Sequence, residues 1–167
     1  MVVTLTDEQQ MIRENVLRIC SDFDDNYWLA RDEDGRFPED FCLALAEAGY
    51  LGIAMPEEFG GSGLGITEAA VMVQAISESG AANGGVSSVS INVFGVNPIV
   101  QYGTDEQKQR WLPPVMRREE RACFAVTEPD AGLDTSQIST RAVRDGDRYL
   151  VHGQKIWTTT AQVASKR

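Results

Sequence analysis

The sequence contains one histidine and three cysteines in 167 residues, and this scarcity excludes several kinds of site. Cys20, Cys42 and Cys123 are odd in number and far apart, which argues against a disulfide framework and against a cysteine metal site. Because His152 is the only histidine, a histidine metal centre and a histidine-based catalytic triad are disfavoured as well. We therefore predict that the chain binds no metal.

Long apolar runs are also missing from the chain. None approaches the roughly 20 residues that a membrane-spanning helix needs. The N-terminal stretch MVVTLTDEQQ has neither the basic nor the apolar region of a secretory signal. These absences predict no membrane association and a cytoplasmic location.

Basic residues are scarce in the first part of the chain. Residues 1–100 contain 4 Lys and Arg against 16 Asp and Glu, whereas residues 101–167 contain 11 against 9, so the two parts carry −12 and +2 of the net charge of −10. A nucleic-acid partner is disfavoured, because phosphates require a basic face. The first part has the composition of a solvated acidic helical surface, and the second could serve an anionic group such as a pyrophosphate or coenzyme A.

The pattern of the first two-thirds predicts helices. Thr6 and Gln9 form a capping box, and a second box begins at Thr104. Residues 66–76 are apolar nearly all round, which predicts a buried central helix. Pro38 suits the first turn of another helix.

Acidic residues, glycine and proline set the expected limits of these helices. Acidic residues and a glycine over 24–35 predict a polar connection. The pair Pro113-Pro114 predicts a helix break, because proline lacks the N–H that a helix interior requires. Further helices are expected over 86–94 and 98–103.

After Arg121 the pattern changes to short β-prone runs. Residues 123–126, 138–143 and 149–157 read as strands, and Asp145-Gly146-Asp147 suits a hairpin turn. Helices followed by strands without alternation predict an α+β chain: an all-α helical domain, then the first strands of a β-barrel-like domain. We place the domains at residues 1–118 and 119–167. Three strands cannot close a barrel, so the second domain is expected to be incomplete and the chain truncated.

The segment from Cys123 to Ala161 supplies the residue types that a flavin site needs. An aromatic wall, hydroxyl donors and loop amides suit the ring and the pyrophosphate of a flavin. Trp157 could cover the ring, Thr127 and Thr159 carry hydroxyls, and Gly132 lies in a polar loop. Taken alone, the same residues favour a turn between strands and a core tryptophan, and they leave flavin binding as the alternative.

Two motifs in this segment carry a resemblance to a known family. The first is FAVTEPDAGLD at 124–134, and the second is GQKIWTTT at 153–160. LAEAG at 45–49, PEEFGG at 56–61 and YGTDEQK at 102–108 match in the helical part. Together they resemble the acyl-CoA dehydrogenase family over essentially the whole chain, in the right order.

The resemblance implies FAD as cofactor and assigns residues to it. Phe124, Val126 and Thr127 would line the isoalloxazine ring. Gly132 and Leu133 would lie by the pyrophosphate, with Leu133 also adjoining the coenzyme A arm of the substrate.

The second motif completes this expected site. Trp157 would pack on the ring and Thr159 would hydrogen-bond the flavin N5, with Thr158 in the same cofactor-binding set. Ser90 is a candidate for the wall around the acyl tail. Leu133 stands where the family usually has Ser, which removes a hydroxyl contact and puts the substrate contacts in more doubt than the flavin.

The resemblance also implies a reaction and its partners. Family members convert an acyl-CoA thioester to the trans-2-enoyl-CoA, pass electrons to an electron-transferring flavoprotein, and are commonly tetramers. Their catalytic Glu lies beyond the stretch that matches this chain, so we identify no catalytic residue here and expect these 167 residues alone to be inactive. Two alternatives stay open: an acyl-CoA oxidase or flavin monooxygenase relative, and a non-catalytic partner subunit or helical module.

Overall fold

The computed structural model describes residues 4–165, and their contacts form two units. The first contains the chain up to Ala122 together with Ser165, and the second is Cys123–Ala164. The first unit is helical: α1 Asp7–Cys20, α2 Asp25–Asp34, α3 Glu39–Glu47, α4 Ile66–Ile76, α5 Ala82–Ser90, α6 Asn97–Tyr102 and α7 Asp105–Met116. The second contains the strands β1 Arg141–Asp145 and β2 Arg148–His152. The predicted α+β class, helices first and strands after, is confirmed.

The helices of the first unit enclose an apolar core. α1 begins at the predicted capping box, where the Thr6 hydroxyl accepts from the Gln9 N–H. α4 has the predicted limits, and five of its side chains are buried, although Ile66 at its start is exposed. Among the described helices, none is long and apolar enough to cross a bilayer. The largest fully buried side chains are Phe41, Leu45, Leu51, Ile53, Met55, Met72, Ile76 and Leu112.

The predicted polar connection over 24–35 is wrong, because most of it is helix α2. Asp24 caps its start by accepting from the Tyr27 N–H, and Gly35 ends it with a φ of +66°. α2 has no fully buried residue, but the Trp28 ring packs edge-on against Phe41, with ring centroids 5.1 Å apart. This contact with a distant residue, which the local pattern does not reveal, holds a polar segment helical.

The predicted break at Pro113-Pro114 is also wrong, since α7 continues to Met116. Each proline interior to a helix costs about 3 kcal/mol. Leu112, Val115 and Met116 are buried on this stretch, and each buried apolar side chain contributes roughly 1.5–3 kcal/mol. The packing of the last turn therefore offsets the missing backbone hydrogen bonds.

A cluster of charged side chains joins the start of α3 to the residues that follow α7. Glu39 accepts from the guanidinium groups of Arg118 and Arg121 at 2.8–3.3 Å. Burial would raise the pKa of Glu39, but hydrogen bonds from Arg121 and Arg118 outweigh it and lower that pKa. Arg118 is buried and has a φ of +61°, a conformation that side chains rarely adopt. The Arg121 N–H donates to the Ser165 hydroxyl at 2.9 Å, and the Arg121 carbonyl accepts from the Ser165 N–H at 3.0 Å.

The second unit contains the predicted hairpin, but its strands are shorter than the predicted 138–143 and 149–157 and cover 141–145 and 148–152. β1 and β2 pair antiparallel from Arg141 opposite His152 to Asp145 opposite Arg148, with Gly146 at a φ of +64° in the turn. Every residue of both strands is exposed. The predicted strand at 123–126 is reduced to one bridge between Phe124 and Thr159. A side chain explains its end, because the Val126 carbonyl accepts from the Lys155 ammonium instead of a backbone N–H.

Replacing Glu39 with Gln should destabilise the first unit by about 3 kcal/mol, because it leaves the buried Arg118 cation without its carboxylate partner. The midpoint of urea unfolding measures the change. Glu119→Gln is the matched control, since it breaks an exposed pair with Arg117 and should leave the midpoint unchanged. Equal midpoints for the two variants would contradict the importance of the cluster.

Candidate functional site

The structure brings the two motif segments together. The Thr127 carbonyl accepts from the Ile156 N–H at 3.0 Å, and Phe124 bridges Thr159 in the same antiparallel direction. Trp157 and Thr158 lie between these two contacts. Residues separated by about 30 positions in sequence therefore share one small surface.

A tight turn presents the loop residues of the first motif. The Glu128 N–H donates to the Ala131 carbonyl at 2.9 Å, and the Ala131 N–H returns to the Glu128 carbonyl at 3.2 Å. Gly132 and Leu133 follow this turn directly. A Cβ on Gly132 would meet no atom within 4 Å, and the Leu133 side chain is fully exposed.

Glu128 is buried at the centre of the second unit's polar contacts. Its Oε2 accepts from the Ser139 N–H and hydroxyl, both at 2.8 Å, and its Oε1 accepts from the Thr140 N–H at 3.0 Å and the Lys155 ammonium at 2.9 Å. Hydrogen bonding from Thr140, then Lys155 and Ser139, holds the pKa of Glu128 far below its usual value. We call Glu128, Ser139, Thr140 and Lys155 the carboxylate junction.

Trp157 has two features that the local fold does not require. Its side chain is 85% exposed, and its φ is +54°, in the left-handed region that favours glycine. Phe124 is 36% exposed on the paired segment. A strained, exposed aromatic residue indicates a functional constraint, because neither burial nor backbone preference accounts for it.

These features fit an FAD molecule. Trp157 and Phe124 offer exposed aromatic surface, and Thr127 and Thr159 stand on the two paired segments. Gly132 needs no positive φ and has open space around its Cα, so nothing within the described residues explains why it is glycine. A group that approaches the backbone closely, as a pyrophosphate does, would explain it.

Ser90, by contrast, belongs to the first unit. It is the last residue of α5, is partly buried, and its hydroxyl donates to the Ser87 carbonyl at 3.4 Å. Its assignment to an acyl wall stays a prediction, as do the cofactor assignments. Among the described residues, no group of three or more His, Cys, Asp or Glu side chains could hold a metal ion.

The sequence pattern predicts a loop-stabilising role for Glu128 but does not single out Lys155, Ser139 or Thr140 as its partners. Lys155 lies inside the second motif, two residues before Trp157, and that position was the available signal. Its role depends on meeting Glu128, which is 27 residues away.

The chain matches two family models. Residues 6–119 match "Acyl-CoA dehydrogenase, N-terminal domain", and residues 123–166 match "Acyl-CoA dehydrogenase, middle domain". It is 35% identical over 160 residues to "Probable acyl-CoA dehydrogenase YngJ" of Bacillus subtilis, covering 96% of this chain and 42% of that protein. It is 34% identical over 167 residues to the mitochondrial short-chain specific acyl-CoA dehydrogenase of Bos taurus, covering 98% of this chain and 39% of that protein.

A solved structure agrees with these matches. The "FAD complex of PigA" superposes on the chain with a TM-score of 0.88 at 27% identity, over 98% of this chain and 43% of that one. The chain thus spans about two fifths of the length of these relatives.

The carboxylate junction should stay intact until the pH is well below the usual pKa of a glutamate. Because the folded pKa of Glu128 is depressed, its contribution to stability is fully present above the unfolded pKa and is lost as pH falls through the folded value. The amide resonances of Ser139 and Thr140 should therefore stay unchanged from pH 7 down to about pH 4.3, the ordinary glutamate value. A transition of these resonances near that ordinary value would contradict the network.

Gly153→Ala should destabilise the second unit, since a Cβ there would overlap the Thr140 side chain. Overpacking of this kind costs about 1–3 kcal/mol. Hydrogen exchange of the Thr140 and Ile156 amides is the measurement. Gly132→Ala is the control, because its Cβ would enter open space, and it should leave this exchange unchanged.

Proposed function

Because the chain belongs to the acyl-CoA dehydrogenase family, we propose that it supplies the FAD-binding part of an enzyme that converts an acyl-CoA thioester to the trans-2-enoyl-CoA. The observation that carries this proposal is the pairing of the two motif segments through Thr127 and Ile156 and through Phe124 and Thr159. When bound, FAD would supply the acceptor for the hydride that leaves the β-carbon.

The residues of the paired segments would hold the ring. Phe124, Val126 and Thr127 line it from one segment, while Trp157 covers it and Thr159 donates a hydrogen bond from the other. Thr158, between these two, belongs to the same set. The exposure of Trp157 and Phe124 supports these roles, because exposed aromatic surface is available to a ligand.

The turn after Glu128 would hold the anionic part of the cofactor. Gly132 and Leu133 lie by the pyrophosphate, and the open space at Gly132 supports this placement. Leu133 also contacts the coenzyme A arm through its backbone, since its side chain has no hydroxyl. Ser90 contributes to the acyl wall.

The remaining parts of the activity are not assigned to residues of this chain. We assign no catalytic base to the chain, and we expect residues 1–167 alone to be inactive. The whole protein would pass electrons to an electron-transferring flavoprotein and form a homotetramer. The division into a helical domain at 1–118 and the start of a middle β domain at 119–167 is supported by the two family models, and the three free cysteines suit the reducing cytoplasm.

The test of this function uses the native gene product. Its intact mass and bound flavin are measured first, and the protein is then mixed without oxygen with straight-chain acyl-CoA thioesters of increasing length. Loss of the visible flavin absorbance, with enoyl-CoA formed in equal amount, is expected. A flavin-free protein, or flavin that no thioester bleaches, would overturn the proposal.

The same experiment separates the alternatives. Rapid return of the flavin absorbance when air is admitted would indicate an oxidase rather than a dehydrogenase. A product without flavin that copurifies with a longer flavoprotein would indicate a partner subunit.

Trp157→Ala should weaken FAD binding by roughly 30-fold, because an aromatic wall on the ring contributes on the order of 2 kcal/mol. Titration of the apoprotein with FAD, followed by flavin fluorescence, measures the Kd. Tyr149→Ala is the matched control, since it removes an exposed aromatic residue from β2 in the same unit. Identical Kd values for Trp157→Ala and the unaltered protein would remove Trp157 from the site.

A further inference from the structure

Three segments that are distant in sequence meet at the carboxylate junction. They are the end of the first motif at Glu128, the start of the hairpin at Ser139 and Thr140, and the second motif at Lys155. Thr140 also packs against Gly153, where a Cβ would overlap it. The carboxylate junction therefore joins the two motif segments and the hairpin through the carboxylate of Glu128.

Lys155 holds the first motif at two points. Its ammonium donates to the Val126 carbonyl and to Glu128 Oε1, both at 2.9 Å, so it spans Thr127. A lysine side chain is flexible, and two acceptors two residues apart on the facing segment fix its position. The lysine thereby fixes the alignment of residues 126–128 with the segment that carries Trp157.

Glu128 connects this alignment to the turn between Glu128 and Ala131. Its carboxylate is buried, and each of its oxygens accepts two hydrogen bonds. Separating the segments would leave this charge buried without donors, which is costly. Its backbone also closes the turn with Ala131 that precedes Gly132. One residue thus connects the ring side and the pyrophosphate side of the site.

We propose that Glu128 and Lys155 are positioning residues for FAD, acting through Thr127, Trp157 and Gly132. Their mutual neutralisation allows a buried carboxylate and a partly buried ammonium to hold these segments in register. This inference rests on the proposed function, because it requires FAD at the paired segments.

The test compares Lys155→Met, Glu128→Gln and the double variant in the native gene product. Each single substitution should weaken FAD binding about tenfold, as expected for the loss of a charged hydrogen bond. The double variant should be no weaker than the singles, because both remove the same pair. Lys155→Arg should recover most of the affinity, since a guanidinium retains the charge and two donors.

Two readouts distinguish positioning from general stability. Exchange of the Ile156 amide in the apoprotein should accelerate in Lys155→Met, because its bond to the Thr127 carbonyl depends on the alignment. At saturating FAD, the visible circular dichroism of the bound flavin should change, which a purely structural role would leave unaltered. Arg148→Met is the control, since it breaks only the exposed pair with Asp145 and should change neither readout.

The outcomes separate this inference from the proposed function. If the unaltered protein binds no FAD, both fail. If it binds FAD and Lys155→Met has the affinity and circular dichroism of Arg148→Met, only the positioning role fails. Should Lys155→Met not fold, Ser139→Ala decides: it removes one hydroxyl bond to Glu128 and should weaken FAD binding several-fold, and an unchanged Kd would overturn the inference.

Discussion

The organisation of the second unit depends on one buried carboxylate. Both hairpin strands are exposed along their whole length, and the backbones of the two motifs meet at the Phe124–Thr159 bridge and at the bond from the Ile156 N–H to the Thr127 carbonyl. A hairpin of this kind is marginally stable by itself. Glu128 supplies what burial does not, because four donors from two other segments converge on it. Polar contacts, rather than an apolar core, hold these segments together.

The first unit is built on the opposite principle. Its helices enclose two apolar clusters, and burial in the second of them offsets the two prolines within α7. Its ion cluster lies where the chain leaves regular structure: Glu39 accepts from Arg118, a buried residue with a positive φ. Such a backbone persists only when surrounding contacts determine it. In both units, a glutamate with cationic partners sets the path of the chain between regular elements.

The candidate site consists of residues that local folding does not explain. Trp157 is exposed and strained, Leu133 is fully exposed, and Gly132 occupies a position where alanine would fit. Functional sites are where we expect residues whose exposure or backbone conformation does not match the preference of their residue type. Trp157 on the second motif, and Gly132 and Leu133 on the first, are the residues that the proposed FAD site would use.

The sequence by itself determined the features that depend on neighbours in the chain. The capping boxes at Thr6 and Thr104 and the hairpin turn at Gly146 are contacts within a few residues, and all three formed where the pattern predicts them. The limits of α4 followed in the same way from a continuous apolar run. The family was also readable from the two motifs, and the two family models confirm it.

The tertiary structure alone decided the features that join distant residues. α2 formed in an acidic stretch because Trp28 meets Phe41, and α7 passed its prolines because its last turn is buried. The expected strand before Thr127 ended because a lysine side chain, 29 residues away, took the Val126 carbonyl. Local propensity is worth a few tenths of a kcal/mol per residue, whereas burying several apolar side chains, or removing one partner of a buried charge pair, changes the stability by several kcal/mol. Where the two conflict, contacts between distant residues prevail, and no local pattern in the sequence records them.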